Sequence, residues 1–128
     1  MYIDEDGILR IRVLEGADIT LENIKKNFDI YKELLGDKKA LLLIDSRARF
    51  NYSKAARIYT ASNQNGLNRV AVAHVVSSFA NRWIISVYIR FNKPVVPTRM
   101  FPSEQKALNW LKTFFVLPGD KFDRKKKK

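Results

Sequence analysis

Cysteine is absent from the 128-residue chain, which excludes disulfides, thiolate zinc sites and cysteine nucleophiles. Histidine occurs once, as His74, so a transition-metal centre would have too few of its usual ligands. The five glycines stand apart from one another, and none belongs to a phosphate-binding glycine loop. We therefore expect no metal site and no cofactor.

Long apolar runs are also missing, because no stretch reaches the ~20 residues that a membrane-spanning helix needs. Residues 1–6 are largely acidic and do not resemble a signal peptide. Hydrophobic residues nevertheless make up 46% of the sequence, which is typical of a globular protein with a packed core. The sequence predicts a soluble cytoplasmic protein without a membrane span.

Acidic residues are nearly absent from the second half of the chain. Residues 46–119 carry eleven cationic side chains and one acid, Glu104, and the whole chain has a net charge of +11. A segment this one-sided predicts a positive surface field that attracts anions. The alternative is a basic protein without a specific anionic partner.

The apolar pattern predicts strands that alternate with helices. The continuous run Leu41–Ile44 suits a central strand that is covered on both faces. Asp6-Gly7 predicts a tight turn, so the first two strands form an antiparallel hairpin. The predicted strands are Tyr2–Asp4, Ile8–Leu14, Leu41–Ile44, Arg69–Val76 and Thr98–Phe101.

Helix starts are marked by residues that cap helices through a side-chain oxygen. The predicted caps are Thr20, Ser53 and the pair Ser77-Ser78, and Pro102-Ser103-Glu104 is predicted to open the fourth helix. The corresponding helices are predicted to end near Gly36, Gln64, Phe91 and Pro118. The order predicts a single α/β domain over residues 1–117, with a mostly parallel sheet, an N-terminal antiparallel hairpin and about four helices. Residues 118–128 are expected to form a disordered basic tail.

The best candidate site lies in the short basic loop after the central strand, because ligands of open α/β sheets bind outside the carboxyl ends of the strands. The helices that begin near Ser53 and Ser78 are expected to offer free N–H groups to an anion at that end. The arginine fork suits phosphate and carboxylate. The candidate anion- or ligand-binding residues are Asp45, Ser46, Arg47, Arg49, Arg57, Ser77, Ser78 and Arg82. Alternatively, Asp45 pairs with Arg47 or Arg57 and only orders the loop.

The third helix, roughly Phe79–Phe91, is apolar around most of its circumference. Such a helix is either buried in its own core or presents a face to a second copy of the chain or to lipid. The predicted dimer or lipid face consists of Trp83, Val87, Tyr88 and Phe91. A homodimer is the expected assembly, because most soluble oligomers are symmetric homodimers.

A Ser-His-Asp triad can be written with His74, Asp45 and a nearby serine, but the sequence contains no nucleophile elbow. His74 lies inside a predicted strand, where a buried, hydrogen-bonded histidine is the expected role. We therefore expect no catalytic residue and no enzyme activity. Nucleic acid is not an expected partner, because the basic residues around Phe50, Tyr52 and Tyr59 form no known motif.

Four segments carry a family resemblance, and in chain order they read DGILRIRV, LLLIDSRARFNYSKAAR, NKPVVPTRMF and SEQKALNWL. They resemble the STAS fold of bacterial anti-sigma-factor antagonists and the related SpoIIAA-like and CRAL-TRIO-like group over roughly residues 2–115. In STAS switch proteins a partner kinase phosphorylates a serine at the start of the second helix. The matching position here is Ser53, although the aspartate before it and the glycine after it are absent. The alternative is that Ser53 only caps the helix.

The residues and the resemblance together predict a non-enzymatic STAS-like binding or regulatory module. Phosphorylation or an anionic ligand would control it, and its partner would be another protein or a second copy of the chain. The alternative, which the CRAL-TRIO resemblance implies, is a carrier or sensor of an anionic lipid or of a small hydrophobic ligand.

Overall fold

The computed structural model describes residues 1–62 and 66–115. The strands of the described residues are β1 Tyr2–Ile3, β2 Leu9–Arg12, β3 Ala17–Ile19, β4 Ala40–Asp45, β5 Phe50–Tyr52, β6 Arg69–Val75 and β7 Thr98–Phe101. Five of them form the main sheet in the order β1-β2-β4-β6-β7. β1 pairs antiparallel with β2, and the other neighbours in this sheet pair parallel. The predicted α/β class, with a mostly parallel sheet and an N-terminal antiparallel pair, is confirmed.

The four helices of the described residues are α1 Leu21–Leu35, α2 Lys54–Ala61, α3 Phe79–Val87 and α4 Glu104–Lys112. The predicted caps Thr20, Ser53 and Ser78 are confirmed, and Ser103 caps α4 in the same way: each side-chain oxygen accepts a hydrogen bond from the backbone N–H three residues further on. α2 ends at Ala61. The predicted end at Gln64 and the predicted tail over residues 118–128 lie outside the described residues.

The remaining two strands, β3 and β5, form a small parallel sheet of their own. The prediction that the chain from Asp45 to Ser53 is only a loop is therefore wrong for Phe50–Tyr52. The reason is physical: each of these strands has three residues, and each finds its partner about thirty residues away along the chain. A hydrophobic pattern over three residues does not predict a pairing between strands that lie so far apart in the sequence.

Alternation along the central strands divides the core into two layers. One face of the main sheet packs against α4 through Leu41, Leu43, Ala71, Ala73 and Val75. The other face, with Leu42 and Val72, packs toward the buried stripe of α1, whose residues are Ile24, Phe28, Tyr31 and Leu35. The small sheet and α3 lie on this second side. The two layers therefore differ in what covers them.

The third helix continues beyond α3 as one turn of π-helix over Tyr88–Asn92. Lys93 follows with φ of 49°, in the left-handed region. Trp83 and Phe91 are 64% and 70% exposed, whereas Tyr88 is only 2% exposed. The prediction that Tyr88 shares an outer face with Trp83 is therefore wrong. Tyr88 comes three residues after the buried Ile85, and residues three apart lie on the same side of a helix.

Membrane-spanning helices are not found within residues 1–62 and 66–115, since none of the helices there combines sufficient length with sufficient apolar character.

Candidate ligand-binding cavity

A cavity of about 470 Å³ lies on the side of the main sheet that faces away from α4. Side chains of the main sheet form its base, and α1, α2, the small sheet, α3 and the π turn surround it. Its wall includes Phe28, Tyr31, Leu42, Phe50, Val72 and Ile85. Small-molecule sites typically have volumes of about 300–1,000 Å³ and mostly apolar walls. This cavity therefore has the size and the lining of a binding site for a small organic molecule.

Aromatic rings from separate elements meet along the cavity. Tyr52 of β5 and Tyr88 of the π turn have ring centroids 5.5 Å apart, and Phe28 and Tyr31 of α1 are 5.4 Å apart. Burial raises the pKa of Tyr31 and of Tyr88 to about 12. These hydroxyls are therefore neutral at physiological pH and act as hydrogen-bonding groups.

The opening of the cavity lies beside Met1, Arg12 and Leu14, because these are the exposed members of its lining. Two of the three are apolar and the third is a cation. An amphipathic molecule with a negative charge would meet attractive groups at this rim.

Ser46 and His74 form a polar pair on the cavity wall. The Ser46 Oγ lies 3.0 Å from the His74 Nδ1, and the side chains are 1% and 6% exposed. Burial lowers the pKa of His74 to about 4, so the imidazole is neutral at pH 7. His74 is thus the buried, hydrogen-bonded histidine that the sequence predicts.

Asp45 does not join Ser46 and His74 in a triad. Its carboxylate accepts hydrogen bonds from the Arg47 Nε at 2.9 Å, the Arg47 Nη2 at 2.8 Å and the Arg47 backbone N–H at 3.1 Å. Hydrogen bonding to Arg47 holds the pKa of Asp45 below its usual value. The loop-ordering alternative for Asp45 is therefore the arrangement that the structure contains.

Arg69, the first residue of β6, brings a second cation to the cavity lining. Its Nη1 donates to the Thr60 carbonyl at 2.8 Å, and its Nη2 donates to the Ser62 carbonyl at 3.0 Å. The guanidinium also interacts electrostatically with the Tyr88 hydroxyl and lies 5.8 Å from the Phe28 ring centroid. Burial lowers the pKa of Arg69. Its Nε is buried and has no hydrogen-bond partner in the described part of the chain.

The predicted anion site does not form as one cluster. Arg49 pairs with Glu15 at 3.4 Å, whereas Arg57 donates to the Tyr52 carbonyl at 2.7 Å and to the Asn92 Oδ1 at 3.2 Å. These arginines are therefore held by different partners. The exposed candidates of this set are Arg47, Arg49, Ser77, Ser78 and Arg82, of which Ser78 caps α3. Of the eight candidates, Ser46 alone lines the cavity.

Asn81 connects the loop after β4 to the start of α3, the two regions that the predicted anion site combines. Its Nδ2 donates to the Ser46 and Ala48 carbonyls, both at 2.8 Å. Asn81 is 3% exposed, so the start of α3 is fixed against the loop after β4. The carboxyl end of β4 and the start of α3 do meet, as the sequence predicts, but an asparagine and backbone carbonyls make the contact.

A second, shallower groove of about 350 Å³ brings two other predicted sites together. Its lining includes the phosphorylation candidate Ser53, together with Arg57, Trp83 and Val87. The Ser53 Oγ accepts a hydrogen bond from the Ala56 N–H at 3.1 Å, which is the capping role. The groove therefore joins the start of α2 to the outer surface of α3.

Sequence reasoning missed Arg69 and considered Phe50 and Tyr52 only as neighbours of the basic residues. Tyr52 and Phe50 instead line the cavity. The available signal was the position of Arg69, a cation that opens the otherwise apolar strand RVAVAHV. A charge at such a position requires a partner, and the sequence alone does not identify one.

Residues 1–115 match the family described as Domain of unknown function (DUF7793), and the chain belongs to this family. Among solved structures, the chain is similar to a protein with unknown function from Arthrobacter sp. FB24, with 28% sequence identity. The match covers 85% of this chain and 95% of that chain, with a TM-score of 0.33. No curated protein matches the chain. These similarities do not indicate a function, which therefore has to be inferred from the site.

Proposed function

We propose that the protein is a non-enzymatic STAS-like binding module whose cavity holds a small amphipathic ligand. The observation that carries this proposal is the cavity of about 470 Å³ with a mostly apolar wall. Protein interiors are close-packed, and unfilled apolar volume destabilises a fold. A ligand that fills this volume stabilises the folded domain.

The order of strands and helices in the main sheet supports the STAS-like part of the proposal. The Ser46–His74 pair supports the non-enzymatic part. A serine nucleophile needs a base that a third group orients, and the nearest sequence candidate, Asp45, is bound to Arg47 instead. Both members of the pair are buried in the cavity wall, where they suit hydrogen bonding to a ligand.

The third helix supports a regulatory role for the bound ligand. Tyr88, in the π turn, lines the cavity, while Trp83 and Phe91 of the same continuous helix are exposed. π-helical turns occur frequently at functional sites. Ligand and protein partner therefore contact opposite sides of one element. In this proposal the partner is a second copy of the chain or another cytoplasmic protein.

Native mass spectrometry of the purified protein tests the proposal directly, because a retained ligand adds mass to the folded ion. Titration with the fluorescent amphiphile anilinonaphthalene sulfonate provides a second measurement. We expect saturable binding to the wild-type protein and loss of that binding in Val72→Phe, whose ring projects into the cavity.

The matched control is Val70→Phe, on the same strand but packed toward the α4 side of the sheet. We expect this variant to bind the fluorophore as the wild type does. Binding that survives Val72→Phe at full strength, or that is lost equally in both variants, would place the fluorophore elsewhere and reject the cavity as the ligand site.

A further inference from the structure

Arg69 is a cation whose charge the described part of the chain does not balance. The residues that line the cavity include two arginines, Arg12 and Arg69, and no carboxylate. The ion pairs found within residues 1–62 and 66–115 do not include Arg69. Arg69 is partly buried, with its Nε fully buried. A charge withdrawn from water is costly unless it is paired, so this position favours an anion that comes from outside the chain.

A structural role explains only part of the Arg69 environment. The carbonyls of Thr60 and Ser62 belong to the C-terminal end of α2, where a cation is favourable. These contacts use Nη1 and Nη2. They leave the Nε–H without an acceptor, although this atom is buried. Because Arg69 lines the cavity, a ligand in the cavity can provide the missing acceptor.

The two arginines mark opposite ends of the cavity. In the sheet, Arg12 lies beside Asp45 and Arg69 lies beside Ala40, at the two ends of β4. A rise of ~3.3 Å per residue makes this separation about 16 Å along the strand direction. Leu42 and Ile44 of β4 line the cavity between the two ends. The shape therefore suits an elongated apolar chain, with the partly buried Arg69 at one end and the exposed Arg12 at the other.

We propose that the ligand is a single-chain carboxylate amphiphile, whose carboxylate binds the Arg69 guanidinium at its Nε–H and whose tail extends along β4 toward Arg12. This proposal rests on the proposed function, because it requires the cavity to hold an amphipathic molecule. It adds the chemical class of the head group and the direction in which the ligand lies.

The number of donors favours a carboxylate over a phosphate at Arg69. A phosphate group carries about −1.5 to −2 charges and several strong acceptor oxygens. At Arg69, two of the guanidinium nitrogens already donate to backbone carbonyls. A monoanion with two oxygens matches one cation with few remaining donors.

Tyr88 is a positioning residue for Arg69. Its hydroxyl interacts electrostatically with the Arg69 guanidinium, its ring centroid lies 5.5 Å from that of Tyr52, and burial raises its pKa to about 12. The hydroxyl therefore stays protonated and keeps the guanidinium in place.

The test compares dodecanoate with dodecanol, which has the same tail and no charge, both below the concentration of micelle formation. Binding is measured on the full chain by displacement of anilinonaphthalene sulfonate. We expect the wild-type protein to bind dodecanoate about tenfold or more tightly than dodecanol. Arg69→Met should weaken dodecanoate binding about tenfold to a hundredfold and leave dodecanol binding within about twofold.

Two arginine variants serve as controls. Arg99→Met removes an exposed arginine that lies 5.4 Å from the Phe101 ring centroid, as Arg69 lies beside Phe28, but outside the cavity. Arg12→Met removes the cation at the rim and tests the opposite orientation of the ligand. We expect Arg99→Met to change dodecanoate affinity by less than about threefold, and Arg12→Met to weaken it less than Arg69→Met does, because an exposed charge contributes little.

Tyr88→Phe keeps the test decisive if Arg69→Met does not fold, since it leaves the α2 carbonyls and Arg69 itself in place. We expect this variant to weaken dodecanoate binding about threefold to tenfold, with little change for dodecanol. An unchanged preference for dodecanoate in Tyr88→Phe would overturn the positioning of the head group.

The outcomes separate this inference from the proposed function. If dodecanol binds as tightly as dodecanoate, or if Arg12→Met has the effect expected of Arg69→Met, the head-group inference is overturned and the cavity stands as an apolar ligand site. If neither amphiphile displaces the fluorophore from the wild-type protein, the inference fails, and the Val72→Phe and Val70→Phe titrations decide the proposed function separately.

Discussion

Val72 and Val75 lie on the same strand, β6, and their side chains face opposite sides of the main sheet. Val72 is 5% exposed and lines the cavity, whereas Val75 is 0% exposed and packs in the layer that α4 covers. Substitution of these two valines therefore allows the cavity wall to be compared with a close-packed layer on the same strand.

We expect substitution by phenylalanine to destabilise the domain much more at Val75 than at Val72. Val75→Phe should destabilise the domain by about 1–3 kcal/mol, because extra volume in a close-packed core forces strain. Val72→Phe should change the free energy of unfolding by less than about 1 kcal/mol, because the larger ring enters free volume. Urea unfolding of both variants measures the difference. Equal destabilisation would mean that the α1 side of the sheet has no cavity of this size.

The burial of His74 predicts a pH dependence of stability. Its folded pKa of about 4 lies below the usual 6.5, so between these values the unfolded chain binds a proton that the folded protein excludes. The free energy of unfolding should therefore fall as the pH decreases through this window. The full contribution is about 3 kcal/mol, at about 1.4 kcal/mol per pH unit.

Comparison of the wild type with His74→Gln isolates this effect from other titrating groups. The glutamine keeps a hydrogen-bonding group for Ser46 but does not titrate. The stability difference between the two proteins should shrink by about 3 kcal/mol between pH 7.5 and pH 4. A difference that is constant over this range would show that His74 titrates normally in the folded protein.

The features that were predictable from the sequence are those fixed by nearby residues. The cap at Thr20 and the buried stripe of α1 depend on neighbours within a few positions of the chain, so local patterns identified them. The cavity depends on Arg69, Tyr52 and Tyr88, which come from three distant segments and meet only in the folded domain. Arg69 looks like any other cation in a basic sequence until its surroundings are known.

Ser53 offers a test of the phosphorylation switch that the STAS resemblance implies. Incubation with a cognate kinase should label Ser53, and Ser53→Asp should alter partner binding. Aspartate is also a favoured helix cap, so this variant should retain the fold while it adds a negative charge beside the groove that contains Trp83.

Ser103→Asp is the matched control, because Ser103 caps α4, which packs on the other face of the main sheet. We expect it to leave partner binding unchanged. Mass-spectrometric mapping that finds the phosphate at another residue would reject the switch, as would equal effects of the two aspartate variants. In either case the hydrogen bond from the Ala56 N–H defines the role of Ser53 as a cap.

The outer surface of α3 and the π turn predicts self-association. Trp83 and Phe91 are 64% and 70% exposed, although aromatic side chains of this size dominate interface energetics when they are buried. A second copy of the chain is the simplest cover, since most soluble oligomers are symmetric homodimers. Because Tyr88 is buried inside the domain, the large exposed side chains of α3 and the π turn are Phe79, Trp83 and Phe91. We expect the full chain to be a dimer by light scattering.

Trp83→Glu should convert that dimer into a folded monomer, because a buried, unpaired carboxylate at the centre of the interface is unfavourable. Leu34→Glu is the control, since Leu34 is a similarly exposed apolar residue on α1, at 46% exposure. It should leave the dimer intact. A wild-type protein that is monomeric from the outset rejects the dimer interface. A monomer would instead favour lipid as the partner of this surface. Sedimentation with vesicles of anionic or neutral lipid tests that alternative, because the wild type should then bind vesicles and Trp83→Glu should bind them less.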